Sequence, residues 1–222
     1  MSRAPTCSTM IFDLDGTLID SLADIADATN NTLAAFGMPV HPVDAYRHFV
    51  GNGVQVLLER ALPKDHAGPL PDRFVESFKQ LYRRHLNVKT RPYGGIDEVL
   101  RRLTDKGITL AILSNKPDEF TKVCVSQFFS DIAFSVIYGL RDGVPRKPDP
   151  RSALEIAAVV GALPEQCAFV GDSSVDMATG RAAGMCCIGV SWGFREPSEL
   201  VAAGADLVID HPHELLDYVH LC

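Results

Sequence analysis

The chain has 222 residues, 46% of them hydrophobic and 22% charged, and a formal net charge of −7. That length holds one large domain, or a core domain carrying a smaller insertion, and the composition excludes a disordered or fibrous class. The negative balance, without a lysine or arginine cluster, argues against a nucleic-acid or membrane-surface partner, so an anionic substrate would need local cations.

The opening MSRAPTCSTM lacks the apolar centre of a secretory signal, and no stretch approaches the roughly 20 apolar residues of a membrane span, so the chain reads as cytoplasmic. An apolar run at 8–13 predicts the first strand. It ends in IFDLDGTL, which sets Asp13 and Asp15 two residues apart. Like charges so placed cost energy unless a cation or a proton sits between them. Consecutive helices are then expected at 21–36, 43–48, 53–62 and 71–86, punctuated by Pro39, Pro42, Gly51, Gly53, Pro63 and Pro71. From Ile96 onward, β-branched runs at 108–113, 134–138, 167–171, 186–190 and 206–209 alternate with amphipathic stretches at 95–106, 117–128, 149–160, 174–182, 197–202 and 212–219. Such alternation predicts βαβ units and a parallel sheet. The expected fold class is therefore α/β, a Rossmann-like core of residues 1–19 and 89–222 with an inserted α-helical cap domain at 20–88.

In open α/β sheets ligands bind beyond the carboxyl ends of the strands. Asp13 and Asp15 follow the first expected strand, Ser114-Asn115-Lys116 the second, Lys147-Pro148 the third and Gly171-Asp172 the fourth. Any one of these suits the cap of the following helix. Together, three carboxylates, a hydroxyl and a lysine at one edge make a poor core and a good ion site. Asp13, Asp15 and Asp172, with Asp176 one helical turn on, are hard oxygen ligands suited to Mg²⁺ beside a phosphate. Ser114, the amides after it and Lys147 can donate to phosphate oxygens. Gly16 and Thr17 are expected to serve the turn out of the strand. The six cysteines lack CxxC spacing and read as reduced thiols, the seven histidines lack metal-ligand spacing, and Trp192 reads as a packed aromatic.

Four motifs in this order, DLDGTL at 13–18, LSN at 113–115, RKPDP at 146–150 and GDSSVD at 171–176, resemble those of the haloacid dehalogenase superfamily, in its subclass with a helical (type C1) cap after the first strand. The resemblance implies that Asp13 is the nucleophile forming an aspartyl-phosphate, and that Asp15 is the acid and then the base. It also implies that Mg²⁺ is held by Asp13, the backbone carbonyl of Asp15, Asp172 and Asp176, and that Ser114, Asn115 and Lys147 bind phosphate. Asp15 marks phosphoester chemistry, since the dehalogenases themselves lack an acid/base there.

YRHFVGNGVQVLLERAL at 46–62, PYGGIDEVLRRL at 92–103 and VSWGFR at 190–195 resemble phosphoglycolate phosphatases. Gly51-Asn52-Gly53 leads into an expected helix whose free amides can bind an anion, and Arg47 can add a cation, so these four residues are the expected specificity site for a small carboxylate. The expected partner is a small-molecule phosphoester, with the chain a monomer or homodimer. β-Phosphoglucomutases, pyrophosphatases and other small-phosphoester hydrolases share the cap and stand as alternatives. A phospho-accepting signalling module fits less well, because receiver domains are about half this length and lack the insertion.

Overall fold

The computed structural model describes residues 7–63, 66 and 68–219, so Cys222 and His220 lie outside the described residues. In chain order the regular elements are β1 (Thr9–Phe12), β2 (Ile19–Asp20), α1 (Leu22–Ala35), α2 (Tyr46–Phe49), α3 (Gly53–Ala61), α4 (Asp72–His85), β3 (Arg91–Pro92), α5 (Ile96–Asp105), β4 (Thr109–Pro117), α6 (Asp118–Phe128), β5 (Phe134–Leu140), α7 (Arg151–Val160), β6 (Cys167–Gly171), α8 (Ser174–Ala183), β7 (Cys186–Val190), α9 (Pro197–Ala202) and β8 (Leu207–Ile209). Among the described residues no helix is long and apolar enough to cross a membrane.

Six strands form one parallel sheet in the order β5-β4-β1-β6-β7-β8. Every residue of β1 is buried, as expected of a central strand covered on both faces. Met10 and Phe12 point to a core shared with α5, α6 and the segment at 212–219, while Ile11 points to the opposite core, which includes Ala153 and Ile156 of α7. The period of two along the strand thus feeds two hydrophobic layers. The chain-order reading of strands and helices agrees with this architecture. At 212–219, however, the expected α-helix is only a 3₁₀ helix over Pro212–Leu216.

The segment from Leu22 to His85 is helical and has its own core. In α4, Phe74, Phe78 and Tyr82 recur every four residues and line one buried stripe, and Asp72 in the first turn and Arg83-Arg84-His85 in the last suit the helix dipole. This stripe packs with Leu22, Ile25 and Leu33 of α1 and Leu57 and Leu58 of α3. Phe120 of α6 and Phe194 after β7 join the same cluster, so the helical layer sits on the sheet side of the molecule through buried aromatics.

Sequence periodicity did not predict the two-residue strands β2 and β3, which pair antiparallel, Ile19 with Pro92 and Asp20 with Arg91. They bind the chain entering the helical layer to the chain leaving it. Beside them the buried Asp24 carboxylate accepts from the amides of Lys89 and Thr90 (2.9 Å each) and from the Thr90 hydroxyl (2.6 Å).

Candidate active site

Asp13 continues the ladder of β1, its amide donating to Val170 O at 2.9 Å. The chain then turns within a few residues, with Leu18 and Ile19 donating to Leu14 O. Gly16 sits at φ +89°, and a Cβ there would collide with the Asp172 carboxylate. The turn therefore needs glycine on both conformational and steric grounds. Asp172 closes β6, and α8 begins two residues later, with Asp176 in its first turn.

Carboxylate oxygens of Asp13, Asp172 and Asp176, all buried, lie within 4.8 Å of one another. Lys147 Nζ stands among them, 2.9 Å from Asp13 Oδ1 and 2.7 Å from Asp176 Oδ1, and it also donates to Leu113 O at 2.9 Å. Burial works to lower the lysine pKa, but the charges of Asp13 and Asp176 outweigh it and hold Lys147 protonated above the ordinary lysine value. The Lys147–Asp13 approach is a contact of charges whose angle does not make a hydrogen bond, so Asp13 Oδ1 remains a buried oxygen without a hydrogen-bond partner. Burial, followed by the Asp176 charge, pushes Asp13 up to about 6 against the pull of Lys147, and burial with the charges of Asp176 and Asp13 raises Asp172 well above the carboxylate range.

When ionised, three carboxylates and one ammonium leave two negative charges in a buried pocket, the amount a divalent cation cancels. The oxygen donor set, with one oxygen lacking a partner, fits a hard divalent ion. Asp176 is the most committed of the three: Oδ1 takes Lys147, and Oδ2 takes the Ser173 amide at 3.1 Å and hydroxyl at 2.6 Å. Asp172 is aimed by the Phe194 amide at 2.7 Å.

Asp15 carries a different set of partners. Ser21 Oγ donates to its Oδ1 at 2.5 Å, and Lys116 Nζ reaches Oδ1 at 2.7 Å and Oδ2 at 3.0 Å. Asn115 ties two loops together, its Oδ1 accepting from the Lys147 amide at 2.9 Å and its Nδ2 donating to Gly51 O at 2.9 Å and Lys147 O at 3.1 Å.

A pocket lies over this group, with about 620 Å³ of empty space that includes open solvent at its mouth. Asp13, Asp15, Ser114, Asn115, Asp172, Gly51 and Gly53 all line it. Lys147 and Asp176 stand behind the wall and brace it. Asn52 and Arg47 are not in the lining, and Arg47 instead donates to Gly193 O at 3.0 Å and pairs with Asp44 at 3.8 Å. The arginine in the wall is Arg195, whose side chain is 11% exposed, whose Nη2 donates to Val50 O at 3.0 Å and whose Nη1 has no hydrogen-bond partner. Tyr82, also in the wall, and Arg195 were not singled out from sequence, and Lys116 was placed at the strand end without a role. VSWGFR contained Arg195, but no spacing distinguished it.

Residues 10–190 match the family of haloacid dehalogenase-like hydrolases. The chain is 38% identical over 213 residues to a phosphoglycolate phosphatase of Pseudomonas putida, covering 93% of this chain and 78% of that one. It is 35% identical over 220 residues to a phosphoglycolate phosphatase of Psychrobacter arcticus, covering 95% and 94%. A crystal structure of a Lactobacillus delbrueckii subsp. bulgaricus protein, assigned by prediction as a phosphoglycolate phosphatase, superposes with a TM-score of 0.87 at 32% identity over 97% of this chain and 99% of that one.

Proposed function

The chain belongs to the haloacid dehalogenase-like hydrolases, and on that premise we propose that it is a Mg²⁺-dependent phosphatase acting through Asp13 on 2-phosphoglycolate or a closely similar small phosphoester. The observation that carries this reading is the single pocket wall in which Asp13, Asp15, Ser114 and Asp172 meet Arg195.

In this reading Asp13 attacks phosphorus, the ester P–O bond breaks and Asp15 delivers a proton to the departing oxygen. Asp15 then takes a proton from the water that cleaves the aspartyl-phosphate, returning Asp13 as a carboxylate. Asp13, Asp172, the Asp15 carbonyl and Asp176, the last directly or through water, would hold the ion. Its chemistry is to neutralise the repulsion between the carboxylates and the incoming phosphate. Ser114 and the amides after it donate to the phosphoryl oxygens. Lys147, hydrogen-bonded to Leu113 O and Asp176 and in charge contact with Asp13, helps hold the two carboxylates in place while its charge offsets theirs.

The helical segment 20–88 acts as the lid that closes the pocket, and its Gly51–Gly53 loop meets Arg195 there. A carboxylate one bond beyond the phosphoester suits Arg195, which supports a two-anion substrate over a neutral sugar phosphate. Hydrolysis of a panel of phosphoesters by the purified protein with Mg²⁺, read as phosphate release, tests this. The expected result is the highest kcat/KM on 2-phosphoglycolate and loss of turnover in EDTA, and a preference for sugar phosphates, nucleotides or pyrophosphate would replace the substrate assignment.

A further inference from the structure

Lys116 is 3% exposed at its side chain, and its three protons have three takers: both oxygens of Asp15 and, at 2.7 Å, the hydroxyl of Tyr82. Tyr82 comes from α4, in the helical layer, whereas Asp15 and Lys116 come from the strand ends of the sheet. The tyrosine ring is fixed by stacking on Phe78 at 5.5 Å and an edge contact to Phe120 at 5.2 Å, and the ammonium lies 5.1 Å from its centroid. The hydroxyl therefore has one place to be. Lys116, gripped by Tyr82, has one place from which to hold Asp15.

We propose that Lys116 and Tyr82 are positioning residues that fix the Asp15 side chain for proton transfer, and that Tyr82 makes this alignment depend on the seating of the helical layer on the sheet. The inference rests on Asp15 being the proton carrier. A buried lysine bonded to both oxygens leaves the carboxylate one orientation about its own axis, with Ser21 Oγ completing the cradle. When α4 moves away from the sheet, the hydroxyl leaves with it, and Lys116 loses the partner that holds its chain extended toward Asp15. A lid withdrawn from the core therefore lets the proton carrier drift, which confines proton transfer to the closed pocket.

The test compares phenyl phosphate with p-nitrophenyl phosphate, esters of like shape whose leaving oxygens differ in basicity and hence in need of a proton. The readout is the single-turnover rate of phenol or nitrophenol release with Mg²⁺, which reports only the first displacement. Asp15→Asn is expected to slow phenyl phosphate far more than p-nitrophenyl phosphate. Equal slowing of the two esters by that variant would overturn the proton-carrier reading itself. Tyr82→Phe, which removes only the hydroxyl, is expected to slow phenyl phosphate about 3- to 10-fold, the scale of one hydrogen bond, with KM and Tm nearly unchanged and p-nitrophenyl phosphate little affected. Lys116→Met is expected to show the same bias at about 100-fold, the cost of a misplaced catalytic group. If Asp15→Asn discriminates between the esters but Tyr82→Phe and Lys116→Met slow both alike, or change KM alone, the positioning proposal is wrong and the pair is packing or a substrate contact.

Discussion

The sheet edge and the helical layer meet in one pocket but reach it by different routes. At the sheet edge each functional side chain is delivered by the end of its own strand, and neighbouring strands fix the spacing: Asp13 just after β1, Ser114 in β4, Asp172 just after β6. In the helical layer the wall is made by a loop, Gly51–Gly53, and by Tyr82, whose place depends on how α4 packs. On the proposed reading, the first arrangement serves the part of a substrate common to all phosphoesters. On the same reading, the second faces whatever lies beyond the phosphate.

The sharpest way to break this division is at the edge. Asp13→Asn is expected to lower turnover by about 10⁴-fold or more on every ester while leaving the fold intact, because the nucleophile serves all substrates. Retained activity in steady-state assays would take the chemistry away from the strand ends. Next is Arg195→Ala, expected to raise KM for 2-phosphoglycolate by about 10- to 100-fold, the value of a charge-assisted hydrogen bond, and to change p-nitrophenyl phosphate little. Arg47→Ala, outside the wall, is expected to raise it by about 3-fold at most, through the lost Gly193 contact. If Arg47 matters more than Arg195, the selective surface lies elsewhere on the helical layer.

The seam between the regions gives a stability prediction. Asp24→Ala strips three donors of their acceptor, two amides and a hydroxyl, and is expected to cost about 2–3 kcal/mol in urea unfolding. A further prediction is one of pH. Without metal, Asp13 holds its proton up to about 6 in the folded chain against 3.8 as the ordinary value, so the folded state binds more protons in that interval and stability falls as pH rises through it. Raised Asp172 adds to the same sign. A melting series in EDTA is expected to decline from about pH 4 to pH 6, Asp13→Asn to flatten it in part, and Mg²⁺ to reverse it.

The two regions also differed in how far sequence could read them. Asp13, Asp15 and Asp172 were legible because a β-strand announces its own end and the residues just after it lie at the sheet's carboxyl edge, whereas Ser114 falls inside the longer β4 and Lys147 seven residues past β5, both placed by the motif order. The order of strands and helices followed from periodicity for the same reason. Tyr82 was not legible. A four-residue spacing says that it faces inward, not that its hydroxyl meets Lys116. Arg47 and Arg195 look alike in sequence, and only the crossing of two loops sends one to Gly193 and the other into the wall. β2 and β3, at two residues each, are too short to carry a pattern.

That small ribbon has an evolutionary consequence. Because the two ends of the inserted segment are bonded to each other, its covalent entry and exit lie side by side, at Ile19–Asp20 and Arg91–Pro92. A different helical segment whose ends meet at the same separation could be grafted there while the sheet keeps its strand order, and new selectivity could arise by exchange of the whole piece, provided the newcomer again supplies partners for Lys116 and Asn115.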